Sequence, residues 1–92
     1  MDYVRINAIV KGYVQGVGYR FFTERKAKEY GITGWVKNLR DGNVQVVAEG
    51  ERSIIEEFIK DLKVGPHSAS VTDIEIKWEK YTGEFKDFEV RF

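Results

Sequence analysis

The sequence contains no cysteine, only one histidine and only one proline among its 92 residues. Without cysteine there is no disulfide, no thiolate nucleophile and no cysteine-based zinc site. A single histidine, His67, also excludes a histidine pair within one chain, so we expect no metal and no cofactor. The formal net charge is zero, because fifteen basic side chains balance fifteen acidic ones. A neutral chain argues against the broad basic surface that nonspecific nucleic-acid binding needs.

Long hydrophobic runs are lacking too, so the sequence predicts no membrane span and no membrane partner. The first ten residues, MDYVRINAIV, are interrupted by charges and lack the layout of a secretory signal peptide. We therefore expect a cytoplasmic protein. The length suits a single domain over residues 1–92, and 42% hydrophobic residues suit a packed core. A charged fraction of 33% leans towards a heat-stable protein.

Hydrophobic periodicity predicts five strands and two helices in the order β-α-β-β-α-β-β. The predicted strands are residues 3–12, 34–39, 43–50, 70–81 and 85–92, and the predicted helices are residues 20–31 and 53–66. Two βαβ units of this size are typical of a ferredoxin-like split βαβ sandwich. This is an α+β fold with an antiparallel sheet and two helices on one face. Right-handed crossovers place the first four strands in the order 4-1-3-2, and the partner of the fifth strand stays open.

Spacing also predicts which side of each element is buried. The inward side of the first helix is expected to be Phe22, Ala27 and Tyr30. The apolar residues that share one face are Val4, Ile6, Ala8 and Val10 in the first strand, Ile54, Ile55, Phe58, Ile59 and Leu62 in the second helix, and Ile74, Ile76 and Trp78 in the fourth strand; the last strand bears Phe88, Val90 and Phe92. Ser53 and Glu56 match a capping box at the start of the second helix. Gly31 and the pair Gly65-Pro66 are expected to end the two helices.

The stretch GYVQGVGYR, residues 12–20, joins the first strand to the first helix and contains three glycines. It is not a Walker A loop, which ends in Gly-Lys-Ser/Thr, and a dinucleotide fingerprint would need a third glycine where Phe21 stands. Gly16 and Gly18 let the backbone curl so that several N–H groups face one concavity. The following helix N-terminus and the planar fork of Arg20 also favour an anion. The alternative is an ordinary glycine-rich turn with a solvated arginine.

Asn38, at the end of the second strand, is the other candidate for chemistry. Strands 1 and 2 run parallel in the predicted sheet, with strand 3 between them. The glycine stretch and Asn38 therefore leave the same end of the sheet, about 10 Å or two strand spacings apart. An arginine, an asparagine, a phosphate and a water would fill that gap. The alternative is that Asn38 only caps the following turn, where Asp41-Gly42 is a strong hairpin signal.

The segments GYVQGVGYR and GWVKNLRDGNVQVVAEG, residues 34–50, together resemble the acylphosphatase family. The resemblance extends over the whole chain, including the GPHSASVTDI passage into the fourth strand. Three positions depart from the family pattern. Tyr13 stands where a basic residue is usual, Tyr19 where phenylalanine is usual, and Leu39 where some members carry a hydroxyl residue. None of these departures removes a residue that is expected to take part in the chemistry.

The resemblance implies hydrolysis of the mixed anhydride between a carboxylic acid and phosphate, with Arg20 and Asn38 as the catalytic residues and Asn38 orienting the attacking water. The implied phosphate-binding residues are Gln15, Gly16, Val17, Gly18, Tyr19 and Arg20. A loose phosphoryl-transfer transition state needs positioning and charge stabilisation more than a strong base, so no metal or covalent phospho-enzyme is implied. The expected partners are a small acyl phosphate and inorganic phosphate, as product and inhibitor. No nucleic acid is expected, and the protein is expected to be a monomer.

Other candidate residues have plainer interpretations. His67 is expected in a surface loop, and Glu56 and Glu57 on a solvated helix face. The large aromatic residues are expected in the core rather than on a base-stacking platform; they are Phe21, Phe22, Trp35 and Trp78. Two other functions stay open, an RNA-binding module that uses the open face of the sheet and a catalytically silent domain that binds a small anion.

Overall fold

The computed structural model describes residues 2–92 as a five-stranded sheet with two helices packed on one face. The strands are β1 (Tyr3–Tyr13), β2 (Thr33–Asn38), β3 (Val44–Glu51), β4 (Ser70–Lys80) and β5 (Phe88–Arg91), and the helices are α1 (Tyr19–Tyr30) and α2 (Arg52–Val64). The predicted order of elements and the α+β class are confirmed. Within the described residues, neither helix is long and apolar enough to cross a membrane.

The order of strands in the sheet is β4-β1-β3-β2-β5. β1 pairs antiparallel with β3 and β4, and β2 pairs antiparallel with β3, as the predicted order 4-1-3-2 requires. β5, whose partner the sequence left open, pairs parallel with β2, so the sheet as a whole is mixed. β4 and β5 form opposite edges, and residues 81–87 connect them at the end of the sheet where β1 begins. β5 therefore ends at the same end of the sheet as β1 and β2.

The core lies between the sheet and the helices, and most of its members are the predicted ones. The buried residues on the inner face of β1 and on α2 are Val4, Ile6, Ala8, Val10, Ile55, Phe58, Ile59 and Leu62. Ile54, Ile74, Ile76 and Val90 are only half-buried. Phe88 is buried, but Phe92 is 92% exposed. The partial exposure of β4 follows from its place at an edge, where it has a neighbouring strand on one side only.

α1 buries only one of its three predicted residues, Ala27. Its buried residues are Tyr19, Thr23 and Ala27. Phe22 and Tyr30, which were expected inside, are half-buried. The Tyr19 hydroxyl donates to the Leu62 carbonyl oxygen at 2.7 Å, and the Thr23 hydroxyl donates to the Tyr19 carbonyl oxygen at 2.9 Å. Both hydroxyls are satisfied inside the core, which makes burial of these amphipathic residues possible.

The predicted capping box at the start of α2 is wrong. The helix begins at Arg52, its N-cap residue is Glu51, and no side chain in the described part of the chain caps the N-terminus. The Ser53 hydroxyl lies 3.5 Å from Glu51 Oε1. Because the helix begins before Ser53, that residue lies inside the first turn, where it cannot serve as the N-cap of the box. Gly31 and Gly65 end the two helices, as predicted.

The prediction that the large aromatic residues fill the core is wrong for three of them. Phe21 is 58% exposed and Trp78 is 41% exposed. Trp35 pairs with Val47 on the open face of the sheet, where the Arg91 guanidinium carbon lies 4.7 Å from the Trp35 ring centroid. Strand alternation explains this position, because the neighbouring Val36 faces the core and Trp35 must face the other way.

Candidate active site

The glycine loop, residues 14–18, connects β1 to α1. Gly16 and Gly18 have φ angles of 74° and 79°, in the left-handed region that favours glycine. Within residues 2–92, the backbone N–H groups of residues 15–21 donate to no protein acceptor. Gly18 is the N-cap residue of α1, and no side chain of the described residues caps this N-terminus. The loop and the first turn of α1 therefore offer a run of free amides, which suits an anion.

Gly12, the first glycine of the stretch, has a different role. It has a φ of 123° and lies where the pairing of β1 with β4 shifts register between Lys11 and Gly12. A Cβ atom at this position would lie 2.2 Å from the Ser70 carbonyl oxygen. Gly12 thus permits the close approach of β4 just before β1 ends and the glycine loop begins.

The glycine loop, Arg20 and Asn38 share one cavity. Its volume is about 150 Å³, and it is lined by Val14, Gly16, Gly18, Tyr19, Arg20, Phe21 and Asn38. The structure therefore brings the predicted strand ends together, because β3 alone separates β1 from β2 in the sheet. Gln15 and Val17 belong to the predicted set but are not among the lining residues. Val14 and Phe21 also line the cavity but were not predicted as site residues. The only signal in the sequence for their place in the site is that they lie within or next to the glycine stretch.

Arg20 is half-buried and is held by the end of β5. Its Nη1 donates to the Arg91 carbonyl oxygen at 3.1 Å. Its guanidinium carbon lies 4.5 Å from the centroid of the Phe92 ring. The hydrogen bond spans 71 positions of the sequence, and no local signal in the sequence indicates it. It occupies Nη1 alone, so Nε and Nη2 are left to donate to a ligand in the planar fork geometry that matches phosphate.

Asn38 has an unpartnered oxygen in a buried position. Its backbone is held in the sheet by pairing of Asn38 with Val44 of β3. Its side-chain Oδ1 is buried and, within the part of the chain that the structure describes, has no hydrogen-bond partner. An unsatisfied buried acceptor of this kind costs on the order of 1–3 kcal/mol. Asn38 also lines the cavity, so its side chain carries an acceptor that no described protein group uses.

The other titratable residues near or outside the cavity have structural or solvent-exposed positions. Burial raises the pKa of the Tyr19 phenol, so the hydroxyl stays neutral and remains bonded to α2. His67 is exposed in a turn, and Glu56 and Glu57 are exposed on α2, as predicted. Asp41 Oδ1 accepts from the Asn43 N–H at 3.0 Å, which is the expected turn geometry.

A larger hollow of about 370 Å³ lies on the open face of the sheet; it is lined by Asn7, Ile9, Gln45, Glu75, Ile76 and Lys77. Several of its polar groups bond to one another or to a neighbour. Gln45 Nε2 donates to Asn7 Oδ1 at 3.0 Å, and Lys11 Nζ pairs with Glu75 at 2.8 Å.

Across residues 2–92, no cluster of three or more His, Cys, Asp or Glu side chains could hold a metal ion. The cavity beside the glycine loop, with free amides and an unpartnered oxygen, is therefore the candidate active site.

Comparison with known proteins identifies the family of this chain. The family model described as Acylphosphatase matches residues 6–90. The acylphosphatase of Thermus thermophilus is 49% identical over 86 residues, which cover 94% of this chain and 97% of the relative. That of Syntrophotalea carbinolica is 47% identical over 92 residues, which cover all of both chains. The crystal structure of acylphosphatase from Bacillus subtilis matches with a TM-score of 0.94 and 34% identity, covering 97% of this chain and 99% of that chain. The resemblance in the sequence is thus confirmed, and the chain belongs to the acylphosphatase family.

Proposed function

We propose that this protein hydrolyses the carboxyl–phosphate anhydride of acyl phosphates, releasing a carboxylate and inorganic phosphate. The observation that carries the proposal is that Asn38, whose buried Oδ1 has no partner among the described residues, lines the same cavity as Arg20 and the glycine loop. Free amides and a guanidinium suit a phosphoryl group, whereas an amide oxygen suits the O–H of a water. The two kinds of group together match the two reactants of a hydrolysis.

The phosphoryl group binds at the glycine loop in this proposal. The backbone N–H groups of residues 15–19 and the Arg20 fork donate to its non-bridging oxygens. These donors are fixed before the reaction, so they stabilise charge in the transition state without reorganising. The acyl oxygen is a good leaving group because it departs as a carboxylate, and a loose transition state asks mainly for alignment and charge stabilisation.

Asn38 holds the nucleophile. Its Oδ1 accepts a hydrogen bond from a water whose oxygen faces phosphorus, in line with the bond to the acyl oxygen. The water oxygen bonds to phosphorus as that P–O bond breaks, and the bonding electron pair leaves with the carboxylate. The water proton passes to a phosphate oxygen or to solvent. Asn38 does not ionise at any point, and no covalent bond to the protein forms.

We also propose that the protein is a cytoplasmic monomer that binds neither nucleic acid nor membranes and is inhibited by inorganic phosphate. Inhibition follows because the product would occupy the same amides as the substrate. The monomer is supported by the exposed edge of β4, where Asp73, Glu75, Lys77 and Lys80 would oppose edge-to-edge pairing of two copies. Sedimentation over a range of protein concentrations tests the monomer. Initial-rate competition between phosphate and benzoyl phosphate tests the inhibition.

The test of the activity is an initial-rate assay with benzoyl phosphate in excess EDTA. We expect hydrolysis to persist, because the proposed groups are backbone amides, a guanidinium and a side-chain amide. Binding of phosphate without hydrolysis would instead indicate a catalytically silent domain that binds a small anion. Loss of hydrolysis in EDTA that a divalent ion restores would contradict the metal-free mechanism.

A further inference from the structure

The side chain of Gln15 connects the glycine loop to the turn that follows Asn38. This turn, residues 39–43, joins β2 to β3. Gln15 Nε2 donates to the Leu39 carbonyl oxygen at 2.7 Å and to the Asn43 carbonyl oxygen at 2.8 Å. A primary amide nitrogen carries two hydrogens, so this contact uses both of them on the two ends of one turn.

The two carbonyl groups also close the turn on itself. The Leu39 N–H donates to the Asn43 carbonyl oxygen at 2.8 Å, and the Gly42 N–H donates to the Leu39 carbonyl oxygen at 3.3 Å. With Gln15 bound, each oxygen accepts two hydrogen bonds, which matches its two lone pairs. Asn38 immediately precedes these groups and pairs with Val44. The geometry at the base of the turn therefore sets where the Asn38 side chain begins.

We propose that the Gln15 side chain is a positioning residue that fixes the place of Asn38 relative to the phosphate-binding amides. This inference rests on the proposed function. The amides belong to the β1–α1 connection and Asn38 belongs to β2, with β3 between them. Within the described residues, the two Gln15 bonds are the hydrogen bonds that join the glycine loop to the turn. Gln15 thus contributes through its side chain in addition to its backbone amide.

Alignment is the reason why such a link matters. The water on Asn38 and the phosphorus on the amides must meet in line, and a displacement of about 1 Å can cost about a hundredfold in rate. We expect Gln15→Ala to lower kcat by about ten- to a hundredfold. The Kd of inorganic phosphate should change by less than about threefold, because the phosphate donors are backbone amides and Arg20, so the loss would be confined to the transition state.

Two variants sharpen this test. Gln15→Glu keeps the size of the side chain but replaces both donors with a carboxylate facing two carbonyl oxygens, so it should lose kcat at least as strongly. Gln45→Ala is the matched control, because Gln45 Nε2 makes its hydrogen bond to Asn7 on the open face; its kcat should equal that of the parent. Parent-like kcat in a folded Gln15→Ala variant would overturn the proposal.

A double-mutant cycle separates an effect through Asn38 from a general disturbance of the loop. If Gln15 acts by placing Asn38, adding Gln15→Ala to Asn38→Ala should cost less than about threefold in kcat, because coupled residues are not additive. An equal loss in both backgrounds would show that Gln15 acts on the amides instead, and the proposed link to Asn38 would be wrong.

A measurement that needs no turnover keeps this inference distinct from the proposed function. In NMR spectra, both Gln15 side-chain amide protons should exchange slowly with solvent, because both are bonded. Amide shifts of residues 39–43 should move in Gln15→Ala and stay in place in Gln45→Ala. Fast exchange of both protons would contradict the link even in an active enzyme. If benzoyl phosphate is not hydrolysed, the proposed activity fails, and the same spectra still decide whether the link exists.

Discussion

The two ends of the sheet differ in whether a buried polar side chain has hydrogen-bond partners. Where β1 begins and β3 ends, the Glu49 carboxylate is buried and both of its oxygens accept hydrogen bonds. They accept from the Thr82 N–H at 2.9 Å, the Thr82 hydroxyl at 2.8 Å, the Gly83 N–H at 3.0 Å and Arg5 Nη1 at 3.2 Å. Where β1 and β2 end, Asn38 Oδ1 is also buried but accepts from no described residue.

This difference distinguishes polar groups that hold the fold from polar groups that wait for a ligand. A buried carboxylate is tolerated when hydrogen bonds and a cation compensate it. Arg5 extends the network to Glu79 at 3.1 Å and Glu84 at 2.7 Å, which anchors the connection between β4 and β5 to the sheet. We therefore expect changes at the Glu49 end to lower the free energy of unfolding and leave kcat unchanged. Changes at the Asn38 end should lower kcat and leave the free energy of unfolding unchanged.

The largest expected effect is on turnover in Asn38→Ala. Losing a positioned hydrogen-bonding group at the transition state costs on the order of 10²–10³ in kcat, and we expect a loss of this size with benzoyl phosphate. The free energy of unfolding, measured in urea, should not fall, because Asn38 Oδ1 has no partner to lose among residues 2–92. The Kd of phosphate should stay near that of the parent.

Asn7→Ala is the control, since Asn7 Oδ1 accepts from Gln45 on the open face; its kcat should equal the parent value. Near-normal turnover in Asn38→Ala would reduce Asn38 to a turn residue. Equal losses in kcat and phosphate affinity would mean that it shapes the phosphate site.

The next effect is on stability in Glu49→Gln. Removing the charge from a buried, hydrogen-bonded carboxylate should lower the free energy of unfolding by about 3 kcal/mol. Turnover of the folded fraction should be unchanged, because Glu49 lies at the other end of the sheet. Glu84→Gln is the matched control. Its carboxylate binds the same arginine, but its side chain is 56% exposed. Glu84→Gln should therefore lower the free energy of unfolding by less than about 1 kcal/mol. A stable Glu49→Gln with impaired turnover would invert the comparison.

A smaller effect is expected on phosphate affinity in Arg20→Lys. Lysine keeps the charge but cannot offer a planar fork while also bonding to the Arg91 carbonyl oxygen. Losing one charge-assisted hydrogen bond, worth about 1.5 kcal/mol, predicts roughly tenfold weaker binding of phosphate by titration calorimetry. Arg25→Lys, an exposed position on the same helix, should bind phosphate as the parent does. Unchanged affinity in Arg20→Lys would exclude bidentate binding.

The smallest expected effect is a pH dependence of the contribution that Glu49 makes to the free energy of unfolding. Burial alone would raise the pKa of Glu49, but hydrogen bonds from Thr82, Arg5 and Gly83 outweigh it and hold the pKa below its ordinary value. A lowered folded-state pKa adds stability that is present above the unfolded-state pKa, about 4.3, and is lost as pH falls through the folded-state value. The stability advantage of the parent over Glu49→Gln should therefore be constant near neutral pH and shrink below about pH 4. Urea unfolding at several pH values measures it, and an advantage that grows in acid would contradict the assignment.

The sequence by itself determined the local features of the protein. Alternation in β1 predicts its buried face, because side chains of a strand change sides at every residue. Gly31 and Gly65 predict the helix ends, because glycine has no Cβ atom and accepts the positive φ that ends a helix. The predicted strand order placed the glycine loop and Asn38 at one end of the sheet, since right-handed crossovers leave few ways to arrange four strands.

Only the tertiary structure decided which distant groups meet. Nothing in the sequence pairs β5 with β2, buries Tyr19 in preference to Phe22, or supplies the hydrogen-bond partners of the Glu49 carboxylate. The Gln15 bond to Leu39 spans 24 positions and the Arg20 bond to Arg91 spans 71. The physical reason is that local preferences fix the backbone of a residue and the side it faces. The partner that a side chain finds on that side depends on which strands and turns the whole fold brings next to it.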